Sequence, residues 1–211
     1  MTSACFESIK TASRITNRVL VSYSGGKDSA VVLDLCCKYF EHVEAFFMYI
    51  VPNLSFQNEF IRKASLEYGI KIHSMPHFML SEFFRYGSFR QYDFDVPIVS
   101  VKECYDYIRE QTGIYWIAGG ERIADSPIRR AMIKHEGGSV DEKRGRLYPI
   151  AHFNKSDVIE YIRVKKLFVG RESSVLGFSF RSLSGRELLA IKDMFPSDYD
   201  KIKSYFPFCD A

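Results

Sequence analysis

The chain is predicted to be an α/β domain built on a parallel β-sheet, on three observations. Short runs of β-branched and aromatic residues alternate with helix-period patterns along most of the chain, the signature of βαβ units. One run, Val43–Val51, is apolar almost throughout, as in a strand buried on both faces by crossover helices. A length of 211 residues suffices for one packed domain with a small addition.

Taken in order, Arg18–Ser24 reads as the first strand and Asp28–Tyr39 as a helix with Val31, Val32, Leu35 and Cys36 on one face. Val43–Val51 is the second strand, and a helix at Ser55–Tyr68 leads to a third, Ile70–His73. Phe78–Val96 is mixed in period and reads as a helix followed by an irregular insertion. Its aromatic residues Phe78, Phe83, Phe84, Tyr86 and Phe89 are expected to pack, with a nucleotide lid or a dimer contact as alternatives. Val101–Thr112 is a helix ending at Gly113, and Tyr115–Ala118 is a fourth strand running into Gly119–Gly120. A helix begins after Ser126–Pro127, Arg146–Ile150 is the fifth strand, and Asn154 caps a helix over Lys155–Leu167. Two capping boxes, Ser184-x-x-Glu187 and Ser197-x-x-Asp200, predict short helices Gly185–Met194 and Asp198–Tyr205. The expected organisation is a nucleotide-binding domain over 1–167 with a C-terminal helical tail, 168–211, packed on it.

Composition narrows the function classes. A net charge of +3 without a Lys/Arg stripe suits an anionic small molecule and does not indicate nucleic acid. The five cysteines are odd in number and irregularly spaced, with no C-x-x-C pair, which argues against a disulfide framework, zinc or an iron–sulfur cluster. No stretch approaches the ~20 apolar residues of a membrane span, and the first residues lack a signal-peptide core. A cytoplasmic protein is the default expectation.

The strongest local signal is Ser24-Gly25-Gly26-Lys27-Asp28-Ser29, straight after a strand and opening a helix. Two glycines permit backbone conformations closed to other residues and let amide N–H groups approach phosphate oxygens. The helix N-terminus adds unpaired donors and partial positive charge. Ser24 and Ser29 supply hydroxyls, and Lys27 supplies a cation. A tight turn with Ser29 or Asp28 as an ordinary cap is the competing reading.

A second element follows the fourth strand: Gly120-Glu121-Arg122-Ile123-Ala124-Asp125-Ser126-Pro127-Ile128-Arg129-Arg130. Ser126 is a good N-cap and Pro127 suits the first helical position, so Arg129 and Arg130 fall in the first turn. Cations there oppose the helix dipole at roughly 0.3–1 kcal/mol each. An anionic ligand would reverse that sign, because guanidinium groups grip phosphate bidentately. Pairing with Glu121, Asp125 or Glu136 on a surface helix is the alternative.

The segment YSGGKDSAVVLDL resembles the PP-loop of the ATP pyrophosphatase superfamily, in the branch holding phosphoadenosine phosphosulfate (PAPS) reductases and the small subunit of ATP sulfurylase. The second element is similar to that family's G-x-R-x-x-x-S-x-x-R segment. YPIAHFNKSDVIEYIRVKKL resembles its Pro-Ile strand, polar turn and helix, with His152 in the turn. The resemblance covers about Arg18 to Leu167. It implies a Rossmann-like twisted sheet of five parallel strands with helices on both faces, and adenosine lying across the strands' carboxyl ends. It implies nucleotide binding by Ser24, Gly25, Gly26, Lys27, Asp28, Ser29, Gly120, Arg122, Ser126, Arg129 and Arg130. Lys27, Arg122 and Arg129 would be catalytic. The expected ligand is ATP (or PAPS), with Mg²⁺ bridging phosphates and Asp28 or Asp125 as its candidate ligands. The expected partners are an oxyanion or other nucleophilic acceptor, and a second copy or partner subunit.

The sequence also departs from the family pattern. Thioredoxin-dependent PAPS reductases carry a nucleophilic cysteine in Glu-Cys-Gly-Leu-His, whereas Cys209 here sits between Phe208 and Asp210. Cys36-Cys37 falls in a predicted helix without the later C-x-x-C of cluster-containing relatives. Gly170–Ser184, where relatives often place cysteines, has none. Three readings follow. The first is ATP-dependent adenylyl transfer with pyrophosphate release. The others are a divergent PAPS reductase using Cys209 with a thioredoxin-like partner, and a nucleotide-binding accessory subunit without chemistry.

Overall fold

The computed structural model describes residues 6–135, 138–177 and 179–209. Its elements run α1 (Glu7–Ile15), β1 (Arg18–Ser22), α2 (Lys27–Tyr39), β2 (His42–Tyr49), α3 (Ser55–Tyr68), β3 (Ile72–Pro76), α4 (Met79–Tyr86) and α5 (Val101–Thr112). There follow β4 (Ile117–Ala118), α6 (Pro127–His135), β5 (Val140–Asp141), β6 (Arg146–Leu147), α7 (Lys155–Lys165), α8 (Arg171–Leu176), α9 (Gly185–Met194) and α10 (Pro196–Tyr205).

The sheet has the order β3-β2-β1-β4-β6-β5. β1 pairs in parallel with β2 and β4, β2 with β3, and β4 with β6, so the five expected strands form the parallel sheet. The sequence reading missed β5, a two-residue edge strand antiparallel to β6. Two residues are too short a run for alternation to register, and only the pairing with Arg146 and Leu147 defines the strand.

Strand side chains alternate between two cores, as a pleated sheet requires. Val19, Val21, Ala45, Phe47, Ala118 and Leu147 face one cluster, which α1, α2 and α7 complete. Leu20, Phe46 and Ile117 face the other, closed by Cys104 and Ile108 of α5. Both faces are thus covered, which explains the near-continuous apolar character of β2. Behind the first face, Asp34 accepts from Tyr161 Oη at 2.6 Å and pairs with Lys38, tying α2 to α7.

A third apolar cluster lies beyond β2, where Ile50, Val51, Leu54 and Leu80 meet Leu188, Ile191, Ile202, Phe206 and Cys209 of the C-terminal segment. Phe83, Phe84 and Phe89 pack against it, while Tyr86 is exposed. The Ser184–Glu187 box forms as expected. The Ser197–Asp200 box does not, because α10 starts earlier with Pro196 in the first helical position. Its first-turn carboxylate is Asp198, which reaches across the fold. Asp198 Oδ2 accepts from Ser55 N at 2.7 Å, Ser55 Oγ at 2.5 Å and Phe56 N at 3.3 Å. It supplies the cap that α3 lacks locally, since the N-cap residue of α3 is Leu54. The helices α1 and α8 were also not anticipated.

Candidate functional site

β1 lies at the centre of the sheet, with the chain leaving in opposite directions on its two sides through β2 and β4. Loops at the carboxyl ends of β1 and β4 therefore splay apart and open a cleft, the usual ligand position in open α/β sheets. Residues 24–29 form the first of these loops. Gly25 has φ +72° and lies so close to Phe60 that a Cβ would stand 2.7 Å from its ring. Both the turn and the packing require glycine there. Gly26 is the N-cap of α2 and offers no side-chain cap, so the first-turn N–H groups face the opening. Ser29 holds the loop from inside: its Oγ donates to Gly26 O at 3.0 Å and accepts from Ser24 N at 3.2 Å.

The loop after β4 supplies the opposite wall. Gly120 lets it lie against α2, since a Cβ there would stand 3.2 Å from Asp28 Cβ. Ser126 Oγ accepts from Arg129 N at 3.1 Å and caps α6. The N-termini of α2 and α6 thus border the same space, and their dipoles both favour an anion there. Arg122 Nε is 3.1 Å from Asp28 Oδ1 and its Nη2 is 2.6 Å from Asp125 Oδ1. The Asp28 contact is an ion pair without hydrogen-bond alignment, and Asp28 Oδ1 is buried with no hydrogen bond. Burial lifts the Asp28 carboxyl above the usual carboxylate range, against the pull of Arg122.

The third wall comes from the C-terminal segment. Gly170 N donates to Gly25 O at 3.0 Å, fastening the start of α8 to the loop. Ser179 Oγ donates to Ser24 Oγ at 3.0 Å. Arg181 is presented by the turn before α9, which the buried Glu187 carboxylate shapes by accepting from the N–H groups of Arg181, Ser182 and Ser184 at 3.2, 3.0 and 3.1 Å. The open cleft has a volume of about 470 Å³, and its described lining includes the cations Lys27, Arg129 and Arg181 and the carboxylates Asp28, Glu121 and Asp125.

Residues 18–169 match the family model of the phosphoadenosine phosphosulfate reductase domain. The chain belongs to this PAPS reductase domain family. No curated protein matches the sequence significantly. Among solved structures, it is similar to phosphoadenylyl-sulfate (PAPS) reductase from Candida auris in its phosphate complex, with 16% identity and a TM-score of 0.56 over 84% of this chain and 87% of that one. It is also similar to the U34-tRNA thiolase NcsA from Methanococcus maripaludis with its 4Fe-4S cluster, with 16% identity and a TM-score of 0.52 over 95% and 77%. At such identity these structures show a shared fold.

Within this PAPS reductase-family cleft, Ser24, Gly26, Lys27, Asp28 and Ser29 meet Gly120, Ser126 and Arg129. Arg122 lines an adjoining hollow of about 300 Å³ with Lys27 and Asp28. Gly25 sits behind the loop against Phe60, and Arg130 is exposed on α6 outside the lining. His152 is exposed and does not line the cleft. Arg181, Ser173, Gly177 and Ser179 line it and were missed. The run of Ser, Gly and Arg between 170 and 184 was the available signal, but sequence reading used that segment only for its lack of cysteines.

The described cysteines lie elsewhere. Cys36 and Cys104 are buried in the cores, and Cys209 is 1% exposed within the third apolar cluster. Cys5, Asp210 and Glu136 lie outside the described residues. Among the described residues no three His, Cys, Asp or Glu side chains form a metal-holding group. His73 Nε2 donates to the Glu44 carboxylate at 2.5 Å, and His77 stacks on Phe78 with its pKa pushed down to about 4 by burial and by Arg181. No described helix is long and apolar enough to cross a membrane.

Proposed function

We propose that the chain binds ATP in this cleft and transfers its adenylyl group to an anionic oxygen of an acceptor, releasing pyrophosphate from the 24–29 loop. The observation that carries the reading is convergence: two helix N-termini, Lys27, Arg129 and Arg181 face one opening at the switch point of the sheet. Cationic groups and N–H dipoles held in place by the fold stabilise charge that grows on phosphoryl oxygens without reorganising. In this scheme the Gly26–Ser29 amides and Lys27 hold the leaving pyrophosphate, and Arg122 and Arg129 steady the α-phosphate. Arg181 and Ser179 close the cleft from the tail.

A divalent ion fits the donor set. Asp28 Oδ1 is a buried carboxylate oxygen without a hydrogen bond, and Asp125 stands on the other side of Arg122. These two carboxylates would hold Mg²⁺, whose chemistry there is to neutralise phosphate charge. The burial of Cys209 supports adenylyl transfer over sulfonucleotide reduction, because a thiolate nucleophile needs access and nearby positive charge.

A thermal-shift panel of ATP and PAPS, each with and without Mg²⁺, combined with pyrophosphate release, tests the proposal. ATP with Mg²⁺ at 100-fold its Kd is expected to stabilise the fold by about 2.7 kcal/mol. Lys27→Ala is expected to slow pyrophosphate release by about 100- to 1,000-fold. A larger shift with PAPS in the absence of metal overturns the reading in favour of sulfonucleotide chemistry. An ATP shift with no acceptor among oxyanions ever giving pyrophosphate overturns it in favour of an accessory subunit.

A further inference from the structure

A second cavity, of about 760 Å³, lies beside the phosphate cleft between α5, α6 and the β5–β6 edge of the sheet. The two spaces share Glu121 and Arg129, so they are neighbours with a common wall. Their linings differ in character. The cleft is bounded by loop hydroxyls and glycines, whereas this cavity is walled by Phe78, Tyr105, Tyr115, Met132 and Tyr148. Among the described residues six cationic side chains and two carboxylates line it, an excess of positive charge, with Arg144 also paired to Asp141 behind the wall.

At its inner end sits Arg146 of β6, only 7% exposed. Its guanidinium lies over the Tyr105 ring at 4.5 Å and within 5.4 Å of the Tyr148 ring. Nη2 is 3.5 Å from Glu121 Oε1. Nη1 is buried and makes no hydrogen bond. A buried guanidinium with an unmatched N–H edge is costly for the fold alone. The cost is offset when a ligand oxygen accepts from it. Arg129, drawn to within 3.7 Å of Glu121 Oε1 from the other side, marks where such a ligand would approach the nucleotide phosphates.

We propose that this cavity is the acceptor site of the adenylyl-transfer reaction and takes a planar aromatic anion. The ring lies among Tyr105, Tyr115 and Tyr148, whose faces and edges suit another aromatic system. The anionic head, a carboxylate or a phosphate, accepts from Arg146 and points past Glu121 and Arg129 into the cleft. The inference rests on the reading of the cleft as an ATP site. In the step it serves, an oxygen of the anion forms a bond to the α-phosphorus as the bond from that phosphorus to the pyrophosphate oxygen breaks. The electron pair of the broken bond leaves with pyrophosphate, and no atom is oxidised or reduced.

Ligand-observed NMR and calorimetry on the intact chain, without nucleotide, test the site with benzoate, phenyl phosphate, cyclohexanecarboxylate and inorganic phosphate. Benzoate or phenyl phosphate is expected to bind, and the tighter of the two identifies the head group. Their non-aromatic counterparts are expected to bind at least about fivefold more weakly, the worth of one aromatic contact. Arg146→Met is expected to weaken the preferred probe by at least about tenfold, the loss of one charged hydrogen bond. Tyr105→Leu should weaken the same probe while keeping the wild-type thermal shift with ATP, which shows that the fold survives. Arg146→Lys, retaining charge but not the planar fork, should also bind the probe more weakly than the wild type. Failure of both aromatic probes, equal binding of the saturated ones, or unchanged binding in Arg146→Met overturns the proposal. An aromatic anion that binds while ATP gives no shift with any variant overturns the reading of the cleft instead, so the two failures are distinguishable.

Discussion

Adding one methyl group at either of two adjacent glycines should separate the folding role of the loop from its binding role. At Gly25 the backbone has φ +72°, and a Cβ would stand 2.7 Å from the Phe60 ring. The left-handed conformation costs an L-residue about 1–2 kcal/mol. Phe60 is 1% exposed and fixed by edge contacts with Tyr23 and Phe47 at 5.8 and 5.3 Å, so it has little room to retreat. Overpacking of this kind costs about 1–3 kcal/mol. Gly25→Ala should therefore lose about 2–5 kcal/mol, and its melting temperature should fall by roughly 4–20 °C for a chain of this size. At Gly26 the backbone is extended, with φ −82° and ψ 169°, and the atom met by a Cβ is Ser179 Oγ at 2.6 Å, the end of a short side chain that can turn away by giving up its hydrogen bond to Ser24. Gly26→Ala should cost only about 1 kcal/mol, mainly through poorer capping. It should nevertheless abolish stabilisation by ATP, because the methyl occupies the approach of phosphate to the α2 amides. Thermal unfolding with and without ATP measures both effects, and a double-mutant cycle of Gly25→Ala with Phe60→Leu isolates the clash, expected to couple by about 1 kcal/mol or more. The reasoning is refuted if Gly25→Ala melts with the wild type, or if Gly26→Ala keeps the full ATP shift.

Two further outcomes follow from buried groups outside the lining of the cleft. Glu172 is 1% exposed, its Oε2 makes no hydrogen bond, and burial followed by the charge of Glu59 raises its pKa above the ordinary value. A raised carboxyl favours the folded state at low pH and loses that stability as pH climbs from the unfolded value through the folded one. Glu172→Gln should accordingly be the more stable protein at pH 7 by about 1–3 kcal/mol, with the gap closing below about pH 4.3; a variant less stable at neutral pH would contradict this. Cys209→Ser places a hydroxyl among Ile202, Phe206 and their neighbours and should cost about 1–3 kcal/mol while leaving the ATP shift and pyrophosphate release intact. Loss of turnover in a folded Cys209→Ser protein would instead put that sulfur in the chemistry.

Much of the fold was legible because its determinants are local. The five parallel strands, the α3 and α5 spans and the turn chemistry at Ser126–Pro127 can be read from neighbouring residues, since strand alternation, caps and glycine requirements act over a few positions. The 24–29 loop was legible for the same reason: its hydroxyls, glycines and cation are contiguous. Arg122 shows the limit. Its residue type and spacing single it out, but its two carboxylate partners, Asp28 and Asp125, become evident only when the loops after β1 and β4 meet.

Sequence alone therefore determined the parallel α/β sheet, the glycine-rich loop after its first strand and the second basic segment. Tertiary structure decided which distant groups complete them. Asp198 caps a helix that starts 143 residues earlier, and Ser179 bonds to Ser24 across 155 residues. Arg146 is turned by strand pleating onto the face that α5 covers, where Tyr105 meets it. Each of these contacts depends on how the sheet twists and where the tail returns. No short-range periodicity encodes such distances, because they are sums over every element between the two partners.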